Sequence, residues 1–132
     1  MSALRILLVY NRDSFTWNLA HDLERYGAEV SVRQAADCSE VDAIGFDGIV
    51  LSPGPGLPSE SEGLMKLVAD WAPRMPMLGV CLGLQALVEW SGGSLRHMAS
   101  VRHGMAGTAK RLADDDLLLG KLSPCFQVGH YH

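Results

Sequence analysis

The chain has 132 residues, 48% of them hydrophobic and 20% charged, with a net charge of −4. That size and mix read as one soluble globular domain, residues 1–132, large enough to bury a core and unlike a disordered chain. The acidic balance, the lack of any Lys/Arg cluster and the lack of an apolar run long enough to cross a bilayer argue against nucleic-acid and membrane binding.

In chain order, "RILLVY" (5–10) is a short uninterrupted apolar run, expected for a strand buried on both faces. No small-residue cleavage site follows it, so a first strand explains it better than a signal peptide. In "SFTWNLAHDLERYG" (14–27), Phe15, Leu19, Leu23 and Tyr26 recur at helical spacing. Asp13 or Ser14 can cap the start of that helix and Gly27 can end it. "AEVSVRQ" (28–34) alternates as a strand, and "FDGIVLS" (46–52) is a further apolar strand that runs into "PGPGLPS". A second helix is predicted over 61–72, with Leu64, Leu67, Val68 and Trp71 on one face and acids near its start. "MPMLGV" (75–80) reads as a strand and "LGLQALVEWSGG" (82–93) as a helix ending in glycines. Beyond Gly93 the periodicity weakens. Residues 94–113 read as short strands and turns, and "DDDLLLGKL" (114–122) as a solvated acidic turn before a short apolar piece.

Strands alternating with helices over the first 93 residues predict an α/β fold. Its sheet is open and mostly parallel, with helices on both faces. Such sheets bind ligands outside the carboxyl ends of their strands. Two stretches fall at such ends: the loop over 53–59, and Cys81.

Cys38, Cys81 and Cys125 are odd in number and form no C-x-x-C pair. This points away from a disulfide framework or a zinc site, and toward a reducing, cytoplasmic setting. Cys81 differs from the other two because "GVCLG" (79–83) brackets it with glycines at a predicted strand-to-helix turn. This is the nucleophile-elbow spacing with cysteine in place of serine. The helix N-terminus is expected to favour the thiolate, and the N–H of Leu82 to stabilise an oxyanion. The alternative for Cys81 is a small buried hydrophobe, which is the leading reading for Cys38 and Cys125. In "SPGPGLPS" (52–59), Pro53, Pro55 and Pro58 lack an N–H, so a polyphosphate cradle is disfavoured. A rigid loop presenting one or two N–H groups, notably that of Gly56, suits a single oxyanion; the alternative is a stiff connecting turn. Gln85 lies one helical turn after Cys81, either to bind a polar substrate or as an ordinary exposed glutamine.

At these residues the sequence resembles the class I (triad-type) glutamine amidotransferases. "LSPGPG" (51–56) and "GVCLGLQAL" (79–87) match its two main N-terminal motifs, with 27 residues from Gly54 to Cys81. "NRDSFTWNLAHDL" (11–23) and "VGHYH" (128–132) are similar to the glutaminase components of anthranilate synthase and aminodeoxychorismate synthase. The resemblance implies a flavodoxin-like sheet, and hydrolysis of L-glutamine to glutamate and ammonia through a Cys81 thioester. It further implies Gly56 and Leu82 as the oxyanion hole, and Gly54, Pro55, Gly56 and Gln85 as the glutamine-binding residues. Ammonia would pass to a separate chorismate-using synthase subunit, and this chain would need no cofactor or metal of its own. Two departures fall on the partner or loop surface. Arg12 stands where an aromatic residue is commoner, and His130 where Arg is usual.

The family's catalytic His and Glu lie in an H-P-E segment beyond the Y-H motif, and this chain stops at His132. None of His21, His97, His103, His130 and His132 is followed two residues later by an acid. The expectation is a C-terminally incomplete chain without its base. Two rivals remain: a non-catalytic α/β module that regulates a synthase subunit, and a different cysteine hydrolase with the same elbow.

Overall fold

The structure is a computed structural model that describes residues 2–38 and 44–131. The chain falls into two compact units, Met1–Leu95 and Arg96–His132.

The first unit is built on four strands: β1 (Arg5–Tyr10), β2 (Glu29–Gln34), β3 (Gly48–Leu51) and β4 (Met77–Gly79). They pair in parallel in the order β2-β1-β3-β4. Helices α1 (Thr16–Arg25) and α2 (Leu64–Trp71) lie in the β1–β2 and β3–β4 crossovers, and α3 (Leu82–Trp90) follows β4. Because side chains alternate along a strand, the apolar runs feed two cores. Leu7 and Val9 with Ile49 and Leu51 face Leu64, Leu67, Val68 and Trp71 of α2 and Leu82 and Ala86 of α3. Leu8 and Val50 face the other way, onto Ala20 of α1, with Leu19 and Leu23 beside it. Helices thus cover both faces, as the apolar strands predict.

The strand order also locates a crevice. From β1 the chain moves outward to β2, then returns past β1 to β3, so the direction of winding reverses between β1 and β3. Ligands of open α/β sheets bind at the carboxyl ends beside such a reversal.

The helices depart from expectation at their ends. Phe15 and Tyr26 lie outside α1 and are 48% and 90% exposed. The buried stripe is instead Thr16 and Ala20, flanked by Leu19 and Leu23. No side chain caps the first turn of α1. Asp13 acts one step earlier, its Oδ1 accepting the Phe15 N–H at 2.7 Å. Gly27, at φ 91°, ends the helix as predicted, and the Ala28 N–H reaches back to the Leu23 carbonyl at 3.1 Å. α2 buries the predicted face, Leu64, Leu67, Val68 and Trp71. It begins only at Leu64, after Gly63 at φ 80°, and carries no acid in its first turn. Glu60 serves the preceding 3-10 turn (Pro58–Glu60), its carboxylate accepting the Leu57 N–H at 2.8 Å.

The second unit is an antiparallel hairpin, β5 (His103–Lys110) with β6 (Cys125–Tyr131). Its register shifts between His103 and Met105, where Gly104 sits at φ 66°. Arg111 organises the connection. Its guanidinium donates to the carbonyls of Gly120 and Leu122 and to Asp114 Oδ1 at 2.5, 2.7 and 2.7 Å. Asp116 accepts the N–H groups of Leu118 and Leu119. The acidic stretch is therefore an exposed turn, as read, while its flanks form one paired ribbon. Of the "VGHYH" motif, His132 lies outside the described residues.

Candidate active site

Cys81 stands between β4 and α3 with φ 54° and ψ −108°. This region is sparsely populated for a residue with a Cβ and costs on the order of 1–3 kcal/mol. The flanking glycines make the turn possible by allowing close backbone contact. A Cβ on Gly79 would strike the backbone of Gly83 and Leu84, and one on Gly83 would strike the backbone of Leu51. The Val80 N–H bonds the Leu51 carbonyl at 3.0 Å, and the Cys81 carbonyl accepts the Gln85 N–H at 3.0 Å to start α3. Strand, elbow and helix are fixed by these contacts.

The loop after β3 meets the elbow through Gly54. A Cβ there would lie 2.6 Å from the Asn11 carbonyl oxygen and 2.7 Å from both Asn11 Cβ and Leu82 Cδ2. Three carboxyl-end segments, after β1, β3 and β4, therefore converge on one buried glycine. Behind it sits a buried polar clamp. The Asn11 N–H donates to Ser52 Oγ and its Nδ2 to the Ser52 carbonyl, both at 3.1 Å, while Ser61 Oγ donates to Asn11 Oδ1 at 3.0 Å. Asn11 and Ser52 are 4% and 0% exposed. Sequence reasoning missed Asn11, Ser61 and the role of Ser52. Each of the first two strands of this crevice ends in a polar residue directly after an apolar run, and that was the available signal.

The thiol itself corrects an expectation. Burial pushes the Cys81 thiol above its ordinary range; the Leu82 N–H, hydrogen-bonded to the sulfur, pulls it down; the charge of Asp13 raises it again. The net direction is upward, so the helix N-terminus does not by itself produce a thiolate. Desolvation of the anion outweighs one backbone hydrogen bond.

Leu82 is buried behind the elbow, with its N–H already directed at the reacting sulfur. Gly54 is buried, whereas Pro55 and Gly56 (φ 72°) are exposed on the rim. The Gln85 side chain is half-buried, and its Oε1 is enclosed with no hydrogen-bond partner among the described residues. Cys38 instead donates to the Gln34 carbonyl at 3.2 Å, and Cys125 is exposed on β6.

The histidines are placed as follows. His21 is on α1, which packs on the opposite face of the sheet from α3. His97, His103 and His130 belong to the second unit, where the His103 ring stands edge-on to Tyr131 at 5.6 Å. Among the described residues no group of three or more His, Cys, Asp or Glu could hold a metal ion, and no helix is long and apolar enough to cross a membrane.

Comparison with known proteins agrees with this geometry. The "putative anthranilate synthase component II" of Haemophilus influenzae is 33% identical over 129 residues, covering 98% of this chain and 66% of that protein. The "aminodeoxychorismate synthase component 2" of Escherichia coli is 43% identical over 101 residues, covering 75% of this chain and 54% of that protein. The "anthranilate synthase component II" of Haloarcula marismortui is 36% identical, covering 98% and 63%. The chain thus spans between about half and two thirds of the length of these relatives. In fold, it superposes on a putative GMP synthase protein from Thermoplasma acidophilum with a TM-score of 0.86 at 22% identity, covering all of this chain and 66% of that one. A glutamine amidotransferase from Thermotoga maritima gives a TM-score of 0.77 at 14% identity, covering 100% and 61%. Residues 7–132 match the family described as glutamine amidotransferase class-I. The chain belongs to the class I glutamine amidotransferase family.

Proposed function

We propose that this chain carries the nucleophile half of a glutaminase, the ammonia-producing subunit of an anthranilate synthase, within a single amidotransferase domain that includes residues 1–132. The observation that supports it best is the strained Cys81 elbow, held against the Gly54 loop by contacts that only glycine permits. In this reading a base removes the Cys81 proton, and the sulfur attacks the side-chain amide carbon of L-glutamine. The carbonyl oxygen becomes an oxyanion that receives the N–H groups of Leu82 and Gly56. Collapse breaks the C–N bond and, with a proton returned from the base, releases ammonia. A γ-glutamyl thioester remains. Water then hydrolyses it to glutamate and restores the thiol. Gly54, Pro55, Gly56 and the Gln85 side chain bind the substrate glutamine. No cofactor takes part. The ammonia passes, in the cytoplasm, to a chorismate-using synthase subunit.

The E. coli relative supports a second reading of the same chemistry, with aminodeoxychorismate as the partner's product. Co-purified synthase incubated with chorismate and glutamine separates the two by the amine formed.

The glutaminase reading is tested with a chloromethyl ketone analogue of L-glutamine and intact-mass analysis. One adduct is expected, on Cys81, with Cys38 and Cys125 spared. Equal labelling of all three cysteines would reduce the elbow to an exposed thiol and overturn the proposal.

A further inference from the structure

The loop after β3 is short of donors. Pro53, Pro55 and Pro58 have no N–H, which leaves those of Gly54, Gly56, Leu57 and Ser59 along residues 53–59. Glu60 distinguishes two of them. Its Oε2 accepts the Leu57 N–H at 2.8 Å, and the Glu60 N–H donates back to the Leu57 carbonyl at 3.0 Å. The neighbouring Gly56 N–H has no hydrogen-bond partner among the described residues. The same carboxylate also bears on Gly56 itself. A Cβ on that residue would collide with Glu60 Oε2, so the contact calls for glycine independently of the φ of 72°.

Such a contact matters most at a glycine. Glycine takes either sign of φ at little cost, so nothing in Gly56 itself fixes the direction of its N–H. The chain before it is held, because Pro55 has a fixed φ and Gly54 is packed against Asn11 and Leu82. The chain after it is held by Glu60, whose turn is anchored where Ser61 Oγ donates to Asn11 Oδ1 at 3.0 Å. Asn11 thus grips the loop at Ser52 and again at Ser61, and Glu60 fixes the stretch between. Gly56 and Glu60 line one cleft together with Tyr10, Arg12, Gln34 and Asp37, and Cys81 is not among its walls. The carboxylate therefore meets Gly56 on a side of the loop that the sulfur does not share. We propose that Glu60 is a positioning residue, holding Gly56 in the left-handed conformation that leaves its N–H free for the substrate oxyanion. This rests on the glutaminase reading, which gives Gly56 that task. What the geometry asks of residue 60 is an acceptor of the right reach, and a charge is not required.

The test follows alkylation of Cys81 in the whole protein by the chloromethyl ketone analogue of L-glutamine at several concentrations. Saturation yields the affinity for the analogue and a limiting rate, which includes addition of sulfur to the ketone carbonyl and so draws on the oxyanion hole. Iodoacetamide develops no oxyanion and reports the thiol alone. Removing one oxyanion donor outright costs about a hundredfold to a thousandfold. A misdirected donor in Glu60→Ala is expected to lower the limiting rate about tenfold or more, with affinity and iodoacetamide rate each within about twofold. Glu60→Gln keeps an oxygen for the Leu57 N–H, at roughly half the strength of a charged acceptor, and should return the limiting rate to within about threefold. If circular dichroism finds Glu60→Ala unfolded, Glu60→Met, of similar length and without an oxygen acceptor, is read in its place. An unchanged limiting rate, a loss confined to affinity, an equal loss with iodoacetamide, or a Glu60→Gln as slow as Glu60→Ala overturns the assignment of Glu60. Failure of the ketone to prefer Cys81 over Cys38 and Cys125 in the wild type strikes the glutaminase reading instead, so the two failures are told apart.

Discussion

Replacing Gly54 by alanine tests whether the carboxyl-end segments are held together as the contacts require. The new methyl carbon would sit 2.6 Å from the Asn11 carbonyl oxygen and 2.7 Å from Asn11 Cβ and Leu82 Cδ2. Ordinary contact between such atoms needs roughly 3.5 Å, so each side must open by about 1 Å. Neither can do so freely. The Asn11 backbone is bonded to Ser52 Oγ and its side chain to the Ser52 carbonyl, and Leu82 is 0% exposed in the core. Overpacking of this kind costs about 1–3 kcal/mol, and the rigidity on both sides places Gly54→Ala at the upper end. Gly27→Ala is the control: φ 91°, with nothing within 4 Å of the added carbon. It carries only left-handed backbone strain, about 1–2 kcal/mol. Urea unfolding followed by tryptophan fluorescence measures both, since Trp71 is buried. The decisive readout is Cys81 labelling by the glutamine-like ketone, which should fall about tenfold or more in Gly54→Ala and stay unchanged in Gly27→Ala. Equal labelling in the two variants would mean that Gly54 does not tie the loop to the elbow, and the reasoning would fail.

Asn11→Ala should destabilise the protein by about 1–3 kcal/mol in urea melts, because Ser52 and Ser61 lose a buried partner. An unchanged midpoint would contradict the clamp. Leu64→Ala, at a 0% exposed position, should cost about 2–5 kcal/mol, while Leu117→Ala, 98% exposed, should stay within about 0.5 kcal/mol. Stability should also depend on pH through Cys81. Its folded-state thiol is raised, so above the unfolded thiol range the unfolded chain releases a proton that the native state keeps. Stability then falls with rising pH, by at most about 1.4 kcal/mol per pH unit, until the folded thiol also ionises. The slope difference between wild type and Cys81→Ala isolates this effect, and a slope of opposite sign would show a thiol that the fold makes more acidic.

Much of the sheet was legible because its strands are short, apolar on both faces and punctuated by glycine or proline. β1 follows "RILLVY" residue for residue, and the predicted face of α2 is its buried face. What failed did so for stated reasons. Phe15 and Tyr26 fit a helical period, but the helix is bounded inside them, so periodicity was extended across its ends. The thiolate expectation weighed the helix N-terminus and omitted desolvation and Asp13, neither visible without coordinates. The hairpin was hard to read because β5 contains two glycines and two alanines in "HGMAGTAK", which carry weak strand propensity. Its pairing comes from register with β6. For the site, Cys81 and its glycines could be found from spacing alone. Asn11 could not, because its relation to the elbow runs through Gly54 and not through the chain.

The elbow and the raised thiol together separate two tasks that the family's chemistry joins. Display is accomplished within the first unit: the strained backbone turns Cys81 outward, and Leu82 aims its N–H at the sulfur. Ionisation is not. Burial and, after it, the charge of Asp13 outweigh one backbone hydrogen bond, and the thiol is raised. Under the glutaminase reading a histidine base comes from outside Met1–Leu95, since the only histidine in that stretch, His21, sits on a helix packed across the sheet. A protonated thiol is a poor nucleophile, and it is equally a poor target for oxidants, which attack the thiolate. Under the glutaminase reading, a thiol raised in this way awaits a base to take its proton. Reactivity, under that reading, is then confined to the moment when the base is in place.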